Sequence, residues 1–238
     1  MTKITINDAD VWSVRAKEAF RMLRTNIEFT GIENKTIVLT SCTPNDGKTT
    51  VAYQLARAFS ETDKRTLYID ADMRQSVFLR RQGFEEGLTG LSHFLSGHNE
   101  LREVIYSTNV HDFYVLPTGK FPSNPSELLS KVHFGEMLKE LKSKFDYIFI
   151  DAPPIGSVID AAVIAKKCDG SVLVVASDKN SRREELRMVE QMRTANPNIL
   201  GVVLNKVDAS SRSYYGRRYY YPYHQPGPSG KDKEGVGK

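Results

Sequence analysis

Three short stretches carry residues whose types and spacing suit phosphoryl chemistry. The first, SCTPNDGKTT (41 to 50), lies where an apolar, β-branched run gives way to a helical pattern. Successive backbone N–H groups in such a loop, with the N-terminus of the following helix, wrap a phosphate, while a lysine reaches the terminal phosphates and a hydroxyl holds Mg²⁺. Lys48 and Thr49 fill the last two roles, and Pro44, Asn45, Asp46, Gly47 and Thr50 complete the cradle. The usual pattern opens with glycine, where this loop has Ser41. The second stretch, LYIDADMR (67 to 74), ends a strand-like run with Asp70 and Asp72 two residues apart, which on a strand puts both side chains on one face. Two adjacent carboxylates repel unless a cation or a proton compensates them. Acids that cap the next helix would explain one of the two, not the pair with Arg74 just beyond. The third, YIFIDAPP, supplies Asp151 at the end of another apolar run. Lys48, Thr49, Asp70, Asp72 and Asp151 are the residue types a magnesium-nucleotide site requires.

The elements that must position them alternate along the chain. Apolar, β-branched runs at 36–41, 66–70, 113–119, 147–151, 171–177 and 199–206 read as strands, several of them apolar throughout, as strands covered on both faces must be. Helical patterns fall at 48–60, 126–143, 158–167 and 181–195, and a separate amphipathic helix at 10–30 precedes the first strand. Steady alternation of strand and helix predicts a P-loop NTPase-like α/β fold: a doubly wound, mainly parallel sheet with helices on both faces. In such a sheet the carboxyl ends of the strands gather along one edge, where ligands bind. All five residues map to that edge. Asn205 and Lys206 end the last strand there and are candidates for contacting a base, although a turn-forming asparagine explains that position equally well.

Composition bounds the alternatives. The chain has 238 residues, 40% hydrophobic and 26% charged, enough for one domain with a sizeable core. No apolar run approaches the roughly 18 to 20 residues that span a bilayer, and the N-terminus lacks a signal-peptide core, so a cytoplasmic location is expected unless a partner holds the protein elsewhere. Cys42 and Cys168 lie beside buried strands and read as reduced packing residues. The net charge of +4 belongs to the end of the chain: from 209 onward stand six basic residues and two acidic ones, which leaves residues 1 to 208 neutral. A basic face for nucleic acid is therefore not expected on the fold.

The domain is assigned to 1–208 and a tail to 209–238, rich in Ser, Gly, Pro, Tyr and Lys and expected to be disordered. Within it, YYGRRYYYPY holds six of the eleven tyrosines: Tyr214, Tyr215, Tyr219, Tyr220, Tyr221 and Tyr223. Interleaved aromatic and basic residues can stack on single-stranded nucleic acid or self-associate. Beside a nucleotide site, the tail reads instead as a phosphate acceptor. A phenol is only about 0.1% ionised at pH 7 and needs a base, for which Asp70 or Asp72 is placed. The six residues from Asp208 to Tyr214 reach about 20 Å when extended.

These motifs, in this order, resemble the bacterial protein-tyrosine kinases of the capsular and exopolysaccharide type, from about Glu18 to the end of the chain. The resemblance rests on Ser41, Pro44, Gly47, Lys48 and Thr49 in the loop, on DADMR, on IFID, and on the tyrosine cluster. A further match is Glu18, Arg21 and Arg24 in EAFRMLR, spaced along one helical face. Such a face is either a solvated, salt-bridged surface or, as the resemblance implies, a contact between subunits of a ring. The resemblance further implies ATP and Mg²⁺ as cofactors, Lys48, Asp70 and Asp72 as catalytic residues, and Thr49, Asp70, Asp72 and Asp151 as metal ligands. It implies autophosphorylation of the tail between subunits, a membrane-bound chain-length regulator as activating partner at the inner face of the plasma membrane, and a phosphotyrosine phosphatase. The same fold serves partitioning-type ATPases, whose loop carries an extra lysine near its start. Here Ser41, Cys42 and Thr43 stand in that place. A nucleotide-binding scaffold is the third alternative.

Overall fold

The computed structural model describes residues 2 to 6, 13 to 84, 87 to 177 and 179 to 207. The tail assigned from 209 onward, with all six candidate acceptor tyrosines, lies outside the described residues. Seven described strands form one sheet: β1 (Thr36–Ser41), β2 (Thr66–Asp70), β3 (Tyr106–Ser107), β4 (Phe113–Leu116), β5 (Tyr147–Asp151), β6 (Gly170–Ala176) and β7 (Ile199–Asn205). Their order is β3-β4-β2-β5-β1-β6-β7. Every neighbouring pair is parallel except β3 with β4, so the expected mainly parallel sheet is present. The six expected strands all form, while β3 is too short to leave a pattern in the sequence. Its outer edge is met by the N-terminal segment, where Ile4 N–H donates to Ser107 O at 2.9 Å. Ile4 and Ile6 are buried in the same apolar cluster as Tyr106 and Phe113.

β1, β2, β5 and β6 are buried at every residue because helices cover both faces. On one face Ile37, Leu39, Tyr68, Phe149 and Val172 meet α1 (Val14–Glu28), α2 (Lys48–Ser60) and Phe78 of the short α3 (Phe78–Arg81). Phe59 anchors α2 there, fully buried with its ring 4.9 Å from that of Phe149. Burial of such a side chain contributes roughly 2 to 3 kcal/mol. On the other face Val38, Ile69, Ile148 and Leu173 meet α4 (Leu91–Leu95), α5 (Leu101–Val104), α6 (Pro125–Ser130), α7 (Val132–Lys142), α8 (Asp160–Ala165) and α9 (Arg182–Ala195).

Two helical expectations are corrected. The helix expected at 10–30 is α1, which begins after Ser13, whose Oγ accepts the Ala16 N–H at 3.2 Å. The pattern at 126–143 is two helices, broken at Lys131, whose backbone is extended. No proline or glycine marks the break. It is stabilised from afar: Lys167 Nζ donates to the carbonyls of Leu129, Ser130 and Lys131 at 2.9, 3.2 and 2.7 Å, satisfying acceptors that end α6.

The topology positions the site. β5 threads between β1 and β2, and the register sets Asp151 opposite Leu39 on one side and Asp70 on the other. The turns leaving β1, β2 and β5 are thereby brought side by side.

Candidate active site

The loop after β1 turns through two left-handed residues, Asn45 (φ +65°) and Gly47 (φ +94°), before α2 begins at Lys48. Gly47 is required twice over: its φ is strained for other residues, and an added Cβ would lie 2.1 Å from Asn205 Nδ2. Lys48, only 8% exposed, projects its ammonium between carboxylates. Nζ donates to Asp72 Oδ2 at 2.9 Å, to Asp151 Oδ1 at 3.3 Å and to Thr49 Oγ1 at 3.4 Å. Burial by itself would lower the pKa of Lys48. Asp151 and Asp72 beside it outweigh burial and hold the pKa above its usual value.

The carboxylates are less well compensated. Asp70 is fully buried, and burial first, then the charge of Asp151 across the strand pair, push its pKa up to about 8. The Ser76 hydroxyl, which donates to Asp70 Oδ2, opposes the shift. Burial likewise raises Asp151, with Lys48 pulling the other way. The Tyr68 hydroxyl donates to Asp151 Oδ2 at 3.2 Å, and its own pKa is raised by burial and by that carboxylate.

Asp70 and Asp72 do not share a strand face as their spacing suggested. β2 ends at Asp70, and Asp72 sits in the turn beyond, where its own N–H donates to Asp70 Oδ1 at 3.2 Å. Asp72 Oδ1 accepts the backbone N–H groups of Arg74 at 3.3 Å and Gln75 at 3.0 Å, which leaves Oδ2 facing Lys48. Arg74 fixes this turn from outside. Its Nε and Nη2 donate to the fully buried Asp160 at the start of α8, at 2.8 and 3.1 Å, and Nη2 also reaches Ser126 of α6 at 2.9 Å. Asp160 and Ser126 left no motif in the sequence. The signal would have been a buried acid opening a helix after the third carboxylate run.

The other side of the phosphate loop is held by the ends of β6 and β7. Asn205 Nδ2 donates to Asp46 O at 2.8 Å and Lys206 Nζ to Asn45 O at 2.7 Å, so the candidate base contact is bonded to loop backbone here. Lys179 Nζ donates to Asp46 Oδ1 at 2.7 Å and to the Pro44 carbonyl. Thr50, the last predicted cradle residue, accepts from Arg81 Nη1 at 2.9 Å. Cys42 is buried beside the loop, and burial, then Asp46, push its thiol up to about 11, which suits a packing residue. Both cysteines are free.

A cleft of about 1190 Å³ opens over this cluster, running from Pro44, Lys48 and Asp72 to Arg81, Lys120 and Phe121. It is larger than a single small-molecule pocket of roughly 300 to 1,000 Å³. The Glu18, Arg21 and Arg24 face divides: Arg21 and Glu18 are exposed and 3.5 Å apart, whereas Arg24 Nη1 donates to Ala58 O of α2 at 2.7 Å and ties α1 to the domain. Among the described residues, no helix is long and apolar enough to cross a membrane.

Comparison with known proteins agrees with this geometry. The AAA domain family model matches residues 34 to 207. The chain is 40% identical over 224 residues to the tyrosine-protein kinase CpsD of Streptococcus agalactiae, covering 92% of this chain and 98% of that one. It is 35% identical to the tyrosine-protein kinase YwqD of Bacillus subtilis, covering 85% of each. Among solved structures, the kinase domain of the Escherichia coli tyrosine kinase ETK superposes with a TM-score of 0.79 at 29% identity, over 93% of this chain and 94% of that one. The phosphate loop, the carboxylates that flank it and a match running nearly the full length of both chains lead to one assignment: this protein is an ATP-binding member of the bacterial tyrosine-protein kinase family.

Proposed function

We propose that the protein transfers the terminal phosphoryl group of Mg-ATP to tyrosines of its own C-terminal cluster, Tyr214, Tyr215, Tyr219, Tyr220, Tyr221 and Tyr223, on a neighbouring copy. The observation that carries this reading is the Lys48 ammonium set between Asp72 and Asp151 at the mouth of the phosphate loop. The donor types suit Mg²⁺: the carboxylates and the Thr49 hydroxyl offer only oxygen and one lysine leaves them short of positive charge, although among the described residues no three acidic side chains are gathered as a ready-made metal cluster. Thr49, Asp70, Asp72 and Asp151 would hold the ion, which supplies charge neutralisation at the phosphates. Loop N–H groups from Pro44 to Thr50, proline excepted, orient the phosphates, and Lys48 exchanges its carboxylate partners for the charge developing on the transferred group. Asp72 lines the cleft while Asp70 is sealed beneath it, so Asp72 takes the phenol proton and Asp70 supports the metal.

The exposed Glu18 and Arg21, with Arg24 beside them, serve as the subunit contact of a ring that presents each tail to the next site. The family resemblance supplies the setting: capsule or exopolysaccharide synthesis, a membrane-bound chain-length regulator that recruits the kinase to the inner membrane face, and a phosphatase that resets it. The test is intact mass after dephosphorylated protein is incubated with Mg-ATP, with and without the regulator's cytoplasmic segment, followed by mapping of residues 209 to 238. Successive single phosphates in the cluster, reduced at least a hundredfold in Lys48→Met, are expected. Unchanged mass under both conditions, or full phosphotyrosine in Lys48→Met, would overturn the reading.

A further inference from the structure

A buried anion inside an anion-binding loop needs an explanation. Asp46 lies between the two left-handed residues of the phosphate loop, and its side chain is 0% exposed. Its carboxylate shapes the loop: Oδ2 accepts the Thr43 N–H at 2.8 Å and Oδ1 accepts the Thr43 hydroxyl at 3.0 Å. The same negative charge opposes any polyphosphate that the loop must hold. The cation facing it is Lys179, from the turn after β6, with Nζ 2.7 Å from Asp46 Oδ1 and a second bond to the Pro44 carbonyl. Among the described residues, the neighbouring Lys206 reaches backbone, at Asn45 O. Asn180 Oδ1, 3.3 Å from the Thr43 hydroxyl, joins the same turn to the loop.

We propose that Lys179 is a positioning residue for nucleotide binding, neutralising the Asp46 carboxylate so that the loop keeps its shape without repelling phosphate. An exposed ion pair would contribute little, but here one partner is fully buried, and removing its cation leaves an uncompensated charge in a low-dielectric setting. The division of labour follows. Lys48 answers the carboxylates of β2 and β5, and Lys179 answers the carboxylate of the loop itself. The inference rests on the loop binding nucleotide, not on tyrosine being the acceptor.

The experiment is titration of the purified, dephosphorylated full chain with a fluorescent N-methylanthraniloyl-ADP and Mg²⁺ at fixed ionic strength. Lys179→Met is expected to bind about tenfold more weakly or worse, a change of about 1.4 kcal/mol. Lys179→Arg should stay within about threefold of the parent, and Asp46→Asn should bind several-fold more tightly because the surviving lysine then faces phosphate alone. The decisive variant is the double Asp46→Asn/Lys179→Met, which regains most of the lost affinity if charge is the cause. A role in shape alone predicts the opposite, since the double variant loses more bonds. Lys179→Met binding within twofold of the parent, or a double variant as weak as Lys179→Met, overturns the proposal. Should Lys179→Met not fold, the tightening in Asp46→Asn decides, and its absence overturns the proposal. The charge dependence found in a chain that makes no phosphotyrosine would support the inference while removing the kinase reading. Phosphotyrosine made by a chain indifferent to Lys179 would do the reverse.

Discussion

Asp70→Asn should stabilise the metal-free protein at pH 8 while disabling it as a kinase. Asp70 is fully buried opposite Asp151, with a pKa pushed up to about 8 by burial and by that neighbour. In the unfolded chain an aspartate titrates near 3.9. Between these values the folded state binds a proton that the unfolded state does not, so the contribution of Asp70 to stability is complete below about pH 4 and is lost as pH rises towards 8. A shift of about four units sets a ceiling of roughly 5 to 6 kcal/mol. Relaxation around the site and penetration of water reduce this, and about 2 kcal/mol is expected at pH 8. For a domain of this size that is about 4 to 8 °C in melting temperature. Asparagine keeps the shape and can still meet Ser76. The assay is thermal unfolding of parent and variant in EDTA at pH 5.5 and 8, repeated with Mg²⁺. The variant should melt higher at pH 8, keep about two fifths of that margin at pH 5.5, and gain less from Mg²⁺. A variant that melts lower at pH 8, or by the same margin at both pH values, would refute the electrostatic account of this cluster.

Two further outcomes follow from other parts of the molecule. Arg74→Ala leaves the buried Asp160, among the described residues, with the Ser126 hydroxyl as its side-chain partner. Breaking a buried pair costs about 3 to 5 kcal/mol, less here because the Arg74 side chain is 38% exposed, so chemical denaturation should show a loss of about 2 to 3 kcal/mol, largely restored in Arg74→Ala/Asp160→Asn. A loss below about 0.5 kcal/mol would mean that the pair does not hold the turn. Phosphorylation of all six cluster tyrosines would add roughly −9 to −12 charges to a tail that begins at +4, so the heavily phosphorylated protein should elute from size exclusion as a smaller species than the unphosphorylated one. Identical elution of the two forms would sink that account of assembly.

What the sequence revealed follows from how far each constraint reaches along the chain. β1, β2, β5 and β6 were legible because helices cover them on both faces, which forces apolar residues at every position. The three motifs were legible because each sits at the carboxyl end of such a strand, and a parallel sheet has one such edge. Lys48 and Asp151, 103 residues apart, meet because β5 threads between β1 and β2. The misses concern partners that no local pattern encodes. The break at Lys131 is held by Lys167, 36 residues on, and Arg74 is held by Asp160, 86 residues on. Lys179 lies 133 residues from Asp46, in a turn of ordinary composition, although its place after a fully buried strand was itself a signal. The face expected for Asp70 and Asp72 failed for a different reason: period-two reasoning holds only while the strand lasts, and β2 ends at Asp70. That ending has a chemical consequence. A strand carrying both acids would set two carboxylates in one row. The turn instead separates them, sealing Asp70 beneath the site and handing Asp72 to Lys48 and the cleft, so two acids of one motif acquire different environments.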